Sequence, residues 1–236
     1  AQLAYDEWLS LDITARNDWS STLPKKSNSF FYPSASLSWV FSDFMRSIDH
    51  KLPSWITFAK LRVSAAQVGK DPAPYNLYNV RKYQFEMGNR KPINNTIKLN
   101  ANLKPEIKTS YEVGVDMKFL DNRLGFDFTY YYNTTKNQAM LVDASSPWTQ
   151  QWVNAGKINN TGVEFILYGT PVKTRDFQFD ITANLAHNSS TVKKLADGVN
   201  RVYFAGDSNM PVKVGAVKGG KLGDIFANNL MQRDAQ

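Results

Sequence analysis

The sequence predicts an all-β fold in which about seven to eight antiparallel strands form part of the wall of a transmembrane β-barrel. Three observations lead to this prediction. Apolar and polar residues alternate with a period of two along most of the 236 residues. The alternating segments are longer than the strands of ordinary globular domains. The connections between them are alternately short and long.

Seven segments show the alternation that is typical of a strand with one apolar and one polar face, and helical spacing fits none of them as well. In segment 109–119, Tyr111 and Val113 would lie on one face and Glu112 on the other. In chain order, the predicted strands and their apolar residues are 8–18 (Leu9, Leu11, Ile13, Ala15), 33–41 (Ala35, Leu37, Trp39, Phe41), 55–68 (Leu61, Val63, Ala65), 109–119 (Tyr111, Val113, Val115, Met117, Phe119), 124–133 (Phe126, Phe128, Tyr130, Tyr132), 161–169 (Val163, Phe165, Leu167) and 177–186 (Phe177, Phe179, Ile181, Ala183, Leu185).

Strand length favours a membrane barrel over a soluble β-sandwich. Most of the predicted strands have about 9–12 residues, whereas a globular strand has about 5–6 and a membrane-spanning strand about 9–11. A sandwich also alternates apolar and polar residues, so the alternation alone leaves both folds open. In a barrel, the charged residues of the polar faces would face the lumen; they are Asp12, Arg16, Lys60, Arg62, Glu112, Asp116, Lys118, Asp127, Glu164 and Asp180.

The predicted connections also favour a barrel. They are 20–30, 42–54, 69–108, 120–123, 134–160, 170–176 and 193–219, and from the second onward short and long ones alternate. Successive connections between antiparallel strands lie at opposite ends, so one end would carry short turns and the other long loops, as in outer-membrane barrels.

Aromatic residues at or near strand ends are typical of the girdles of such barrels, and of strands in general. They are Trp8, Trp19, Tyr32, Trp55, Phe119, Phe126, Tyr132 and Phe177.

The composition argues against several other classes of protein. The absence of cysteine excludes a disulfide framework and a cysteine-ligated metal. The two histidines, His50 and His187, are far apart in sequence, which argues against a histidine-rich zinc site. The net charge of +7 is spread along the chain, which argues against a nucleic-acid-binding patch. No G-x-S-x-G, P-loop or dinucleotide motif occurs, and no run approaches the roughly 18 apolar residues of a membrane helix. We therefore expect no enzyme, no cofactor and no metal site.

Several motifs resemble the SusC/RagA family of TonB-dependent outer-membrane transporters. The strongest is LKPEIKTSYEVGVDMKFLDNRLGFDFTYYYNTTKNQ at 103–138. Segment 11–44 matches the family's R-x-D-x-S strand end and its following F-x-P-S-x-S-x-x-W strand, with Arg16, Asp18 and Trp39 among the matched residues. Further matches are LRVSAAQVGKD at 61–71, VNAGKINNTGVEFIL at 153–167, FQFDITANLAHNSSTVKKL at 177–195 and GGKLGDIF at 219–226. The resemblance therefore covers nearly the whole chain.

The resemblance implies a fold and a function. The family barrel is of the plugged type with 22 strands. Residues 1–236 would form one interior part of that barrel domain, with an eighth strand beginning at 219–226. The plug domain, the TonB box and the remaining strands would lie outside this chain. The implied function is active import of oligosaccharides or peptides across the bacterial outer membrane, together with a SusD-like surface lipoprotein lid and the TonB complex. Outer-membrane lipid and lipopolysaccharide are further expected partners, whereas nucleic acid is not.

The long loops are the expected cargo-recognition sites, because loops on a rigid scaffold commonly carry binding function. Aromatic and charged side chains there would suit glycans and peptides equally well. Packing of the loops on one another would also explain them. The candidate residues are Tyr75, Tyr78, Arg81, Tyr83, Trp148, Trp152, Tyr203 and Phe204. The alternative function is a structural or adhesive surface barrel that transports nothing, and the alternative folds are a small closed barrel of eight strands and a soluble sandwich.

Overall fold

A computed structural model describes residues 1–78, 82–93, 95–154, 156–196, 198–205 and 212–227. The strands are β1 (Gln2–Tyr5), β2 (Leu9–Trp19), β3 (Ser29–Val40), β4 (Ile56–Lys70), β5 (Lys82–Glu86), β6 (Asn89–Ile93), β7 (Ile97–Lys98), β8 (Glu106–Phe119), β9 (Leu124–Lys136), β10 (Ala139–Asp143), β11 (Gln150–Asn154), β12 (Lys157–Lys173), β13 (Gln178–Lys194), β14 (Arg201–Ala205), β15 (Val212–Val217) and β16 (Asp224–Ala227). The helices are α1 (Phe41–Ser47) and a 3₁₀ turn, Lys25–Ser27.

Eight strands form one antiparallel sheet in the order β1-β2-β3-β4-β8-β9-β12-β13, which we call the wall sheet. All seven predicted strands are confirmed within it, most of them extended by a few residues. The eighth strand was predicted wrongly. Residues Asp224–Ala227 pair with β15 in a separate small sheet, and the eighth wall strand is β1, which is too short to show alternation. Strand β1 is therefore one of the two outer strands of the wall sheet in the described residues.

Strand register aligns the apolar residues of neighbouring strands into continuous rows. Leu37, Val63, Val113, Tyr130 and Val163 lie opposite one another across five strands. Their side chains are not covered by a second layer, for Val63 is 42% exposed and Val113 and Tyr130 are each 43% exposed. An apolar surface this continuous is far larger than the patches on soluble proteins. The sheet is therefore one layer thick, with one apolar and one polar face.

The two ends of the wall sheet differ as the sequence predicts. The connections 41–55, 120–123 and 174–177 lie at one end, the short-turn end, and the connections 20–28, 71–105 and 137–156 lie at the other, the long-loop end. At 120–123, Leu120, Asp121 and Asn122 all have positive φ, which produces a tight reversal between β8 and β9. Outer-membrane barrels place their short turns on the periplasmic side.

Aromatic side chains cluster at the short-turn end. The ring of Trp55, just before β4, and those of Phe119, Phe126 and Phe165 on the next three strands follow one another, with centroids 5.7, 6.1 and 5.9 Å apart. Helix α1 adds Phe44, whose ring lies 4.8 Å from that of Trp8. Barrels carry such belts where the wall meets the membrane interface. In the described part of the chain, no helix has the length and apolar character needed to cross a membrane.

The main cluster of buried apolar residues lies at the long-loop end of the wall sheet. It consists of Met140, Val142, Val192, Leu195, Val202 and Ala216. Two small loop sheets carry four of them, on β10, β14 and β15, and these pack against Val192 at the end of β13 and Leu195 just beyond it. A one-layer wall has no interior, so folded loops at its end are where this chain forms a conventional core. These loops therefore form an ordered structure at the long-loop end.

Candidate functional site

The polar face of the wall sheet carries all ten predicted lumen residues. Register places Lys60 opposite Asp116, and Asp116 opposite Asp127, on three adjacent strands. By alternation, the same face includes the other seven: Asp12, Arg16, Arg62, Glu112, Lys118, Glu164 and Asp180. That this face lines a lumen remains a prediction. Of the two histidines, His187 lies inside β13 opposite Val163 and so belongs to the apolar rows.

An ion pair crosses the polar face over β8. The guanidinium of Arg62 on β4 donates from Nη1 and Nη2 to the two carboxylate oxygens of Asp127 on β9, at 2.7 and 2.6 Å. Nη2 also donates to Thr129 Oγ1 at 2.6 Å. On β8, Gly114 lies between Arg62 and Thr129 in register, and a Cβ at Gly114 would overlap the Arg62 side chain. Glycine at 114 therefore provides the space that allows Arg62 to reach Asp127.

The same arrangement recurs two rows of the polar face nearer the short turns. Tyr168 on β12 lies over Gly125 on β9, where a Cβ would overlap the phenol ring. Its hydroxyl donates to Asp116 Oδ1 on β8 at 3.3 Å. Both arrangements connect polar side chains across an intervening strand. The charges of Arg62 and Asp127 thereby neutralise each other within the wall.

Replacing Gly114 with alanine should destabilise the protein by up to about 1 kcal/mol, because the new Cβ displaces Arg62 from Asp127 and a part-exposed ion pair contributes about 0–1 kcal/mol. The free energy of unfolding in vesicles measures this loss. In an Arg62→Ala background, the same glycine substitution should cost far less, since the displaced side chain is gone. An equal cost in both backgrounds would show that the Arg62 crossing is not the reason for glycine at 114.

A cleft of about 460 Å³ lies at the long-loop end of the polar face. Lys70 and Glu106, opposite each other in register on β4 and β8, belong by alternation to the polar face and form its floor. Trp152 of β11 forms part of its side. The remaining residues that line it are Thr22, Asp71, Pro72, Ala73, Pro74, Lys104 and Ala139. The cleft thus combines an aromatic ring, a rigid proline-rich segment and charges of both signs.

Hydrogen bonds between loops fix the sides of this cleft. The side chain of Asn154 accepts from the Lys104 backbone N–H at 2.7 Å and donates to the carbonyls of Lys104 and Asn137, at 2.8 and 2.9 Å. Asn100 Nδ2 donates to the carbonyl of Trp152 at 3.1 Å. Ser27 Oγ donates to the carbonyl of Leu103, whose side chain is fully buried. Three separate connections are thereby joined into one unit before any ligand binds.

Asp71 holds the connection 20–28 against the cleft. Its Oδ2 accepts hydrogen bonds from the hydroxyls of Ser20 and Thr22, at 2.5 and 3.0 Å. The hydrogen bond from Ser20 is the largest influence on the pKa of Asp71, and with that from Thr22 it lowers this pKa below its ordinary value, while partial burial acts in the opposite direction. The carboxylate form is therefore the form that the folded loops favour.

This arrangement predicts a pH dependence of the 20–28 connection. A carboxyl whose pKa is lowered in the folded state stabilises the contact above its unfolded pKa of about 3.9, and the contact is lost as the pH falls through the folded value. The protection of residues 20–28 against hydrogen exchange, corrected for the intrinsic pH dependence of exchange, should therefore be high at neutral pH and fall only below about pH 4. Asp71→Ala should lower this protection at neutral pH. A protection that does not change with pH, or no effect of Asp71→Ala, would contradict the assignment.

The structure separates the predicted loop residues into different places. Trp152 lines the cleft, whereas Trp148, in the same connection, does not line it. Tyr75 and Tyr78 follow the proline-rich segment and are largely exposed, and Tyr83 lies in β5 beneath Arg90, whose guanidinium carbon is 3.8 Å from the ring centre. Tyr203 lies in β14. Arg81 lies outside the described residues, as does the side chain of Phe204, whose backbone is part of β14.

The sequence analysis missed the charged residues of the cleft. Lys70, Asp71, Lys104 and Glu106 lie at or just beyond strand ends, where the polar pattern continues into a predicted loop. Their position in the alternation was the available signal for Lys70 and Glu106. Only the register of β4 against β8 brings those two side chains together. Among the described residues, no group of three or more acidic or histidine side chains could hold a metal ion.

A one-layer sheet with an apolar face, a polar face and ordered loops at one end is the wall of a membrane β-barrel. Residues 1–215 match the family model "TonB dependent receptor-like, beta-barrel". The chain belongs to this family. The family consists of receptors and transporters and not of enzymes, and it indicates an outer-membrane barrel.

Individual relatives are of the SusC and RagA type, which confirms the resemblance seen in the sequence. The chain is 28% identical over 210 residues to the TonB-dependent receptor SusC of Bacteroides thetaiotaomicron, covering 83% of this chain and 20% of that protein. It is 27% identical over 196 residues to the TonB-dependent receptor P3 of Formosa agariphila, covering 79% and 19%. The fold matches the RagAB peptide importer in its closed-closed state, with a TM-score of 0.78, 22% identity and coverage of 92% of this chain and 24% of that one. The chain thus spans about a fifth of the length of the curated relatives it matches.

Proposed function

We propose that these residues are one part of the barrel of a TonB-dependent importer that carries oligosaccharides or peptides across the bacterial outer membrane. The observation that carries this proposal is the preformed cleft at the long-loop end of the polar face. There, Trp152 lines the same cleft as Lys70 and Glu106, which belong by alternation to the polar face, and as Asp71 and Lys104 of the connection between them. A cleft at this place would meet cargo before the cargo enters the barrel.

The complete protein needs more than the wall sheet. Both outer strands, β1 and β13, have one edge without a partner in the sheet of the described residues, and an unpaired edge is untenable in a bilayer because each backbone N–H and C=O there needs a hydrogen-bond partner. Further strands of the same barrel would pair with these edges. A plug domain, a TonB box and a SusD-like lipoprotein lid complete the proposed importer, and outer-membrane lipid and lipopolysaccharide would surround it.

The charges in the cleft favour peptide over neutral oligosaccharide as cargo. Lys70 and Lys104 supply cations, and Asp71 and Glu106 supply anions, within one enclosed space. A peptide carries both kinds of complementary group at its termini and side chains. A neutral glycan would use Trp152 by stacking but would offer no charged group to these side chains.

Uptake by living cells tests the proposal. Cells that carry the intact gene are given isotope-labelled tryptic peptides or labelled oligosaccharides, and a strain with the gene deleted and a strain without TonB serve as controls. Gene-dependent and TonB-dependent accumulation of either cargo supports import, and the label identifies the class. Binding of cargo without accumulation would overturn import and favour the alternative, an adhesive barrel that transports nothing.

A further inference from the structure

An apolar pocket of about 280 Å³ lies on the apolar face near the short-turn end. Five of the seven residues that line it belong to the apolar rows of β2, β3 and β4: Leu9, Leu37, Trp39, Leu61 and Val63. Trp8 and Phe44 form its margin toward the turns. Leu37 and Val63 remain 40% and 42% exposed, so the pocket opens onto the face that meets lipid.

Helix α1 creates this pocket. The chain leaves β3 at Val40 and turns back across the apolar face, so that Phe44 packs 4.8 Å from Trp8 and 5.7 Å from Trp39. Arg46 fixes the helix by donating from Nη2 to the carbonyl of Thr57 on β4 at 3.1 Å, and from Nη1 to Asp43 at 2.6 Å. A hairpin turn without the helix would leave this part of the wall flat, as it is around Val113.

We propose that the pocket binds an acyl chain of a phospholipid in the periplasmic leaflet. It is continuous with the lipid-facing surface, and its described lining is entirely apolar. The short-turn end lies on the periplasmic side of such barrels. In the connection 41–55, which follows the pocket residues of β3, Arg46 and Lys51 are balanced in number by Asp43 and Asp49, so this turn has no net charge that would repel a zwitterionic headgroup. The inference requires a barrel in a membrane but does not require import.

Photolabelling tests this site in the complete protein. The protein is reconstituted in phosphatidylethanolamine vesicles that contain a trace of the same lipid with a diazirine in its acyl chain, irradiated, digested with trypsin and mapped by mass spectrometry. Peptides 27–46 and 63–70 contain pocket residues, and peptide 109–118 contains Val113 on the same face outside the pocket. We expect enrichment on the pocket peptides on the order of tenfold, which corresponds to about 1.4 kcal/mol.

Two variants distinguish a pocket from general contact with lipid. Val63→Trp fills the pocket with an apolar ring and should abolish the enrichment on peptide 27–46, whereas Val113→Trp should leave it unchanged. Phe44→Ala removes one side of the pocket without filling it and should lower the enrichment as well. It therefore provides a second test of the pocket that does not depend on the folding of the tryptophan variant. Equal labelling of all three peptides, unchanged labelling in Val63→Trp, or crosslinks to a polypeptide in place of lipid would overturn the proposal.

Discussion

A lysine in place of Val113 should destabilise the protein by about 2–4 kcal/mol in a bilayer, the cost of a cation on the lipid face near the membrane midplane. Val113 lies near the middle of β8, between Val63 and Tyr130 in register, and has no covering layer. The ammonium group would have to lie among acyl chains or distort the strand to reach the interface. Chemical unfolding of the complete protein in vesicles measures the loss as a shift of the midpoint.

Ser110→Lys provides the matched control. Ser110 lies on the same strand, three positions away and on the polar face, opposite Ala66 and Asn133. A lysine there would enter a wet space and should change stability by less than about 0.5 kcal/mol. If both lysines cost the same, or if Ser110→Lys costs more, the assignment of the two faces would be wrong.

Replacing Trp152 with alanine should weaken cargo binding by about tenfold, because tryptophan is among the residue types that most often contribute over about 1.4 kcal/mol to a binding site. The substitution removes the ring from the cleft but retains the backbone pairing with Leu141 and the carbonyl that accepts from Asn100. The loops should therefore remain folded. The change in affinity is measured by calorimetry, with the cargo that the uptake experiment identifies.

Trp148→Ala is the control for this prediction. Trp148 is the same residue type in the same connection but does not line the cleft. Its loss should leave cargo affinity unchanged. An equal loss of affinity in both variants would indicate a general effect on the loops, and no loss in Trp152→Ala would place the cargo site elsewhere.

The wall strands could be predicted because each has two faces in contact with different environments. Lipid on one side and water on the other demand alternation over the whole strand, as β8 and β9 show. Helix α1 could not be predicted in this way, since seven residues are too few to establish a helical period and Phe41 continues the apolar row of β3. Strand β1 is shorter still. The misplaced eighth strand has the same cause, because a short alternating segment does not reveal which strand it pairs with.

The candidate site was only partly predictable. Trp152 was identified from its residue type alone, and so was Trp148, which lies apart from the cleft. The bonds that build the cleft connect residues far apart in sequence, such as Asn154 with Lys104 and Asp71 with Ser20, and no local pattern signals them. Likewise, the roles of Gly114 and Gly125 emerge only once the register shows which long side chain lies over each glycine. Loop contacts and register are tertiary properties.

A cysteine scan of β8 in the native membrane tests the central claim most directly, because the chain has no cysteine of its own. Single cysteines are placed at each position of Glu106–Phe119 in the complete protein and treated with a membrane-impermeant thiol reagent and, separately, with a lipid-soluble one. We expect the reactivity along β8 to alternate with a period of two. Cysteines at 110, 112, 114 and 116 should react with the aqueous reagent, and those at 111, 113, 115 and 117 only with the lipid-soluble one. Reactivity without alternation, or an apolar face shielded from both reagents as in a soluble sandwich, would contradict a membrane barrel wall.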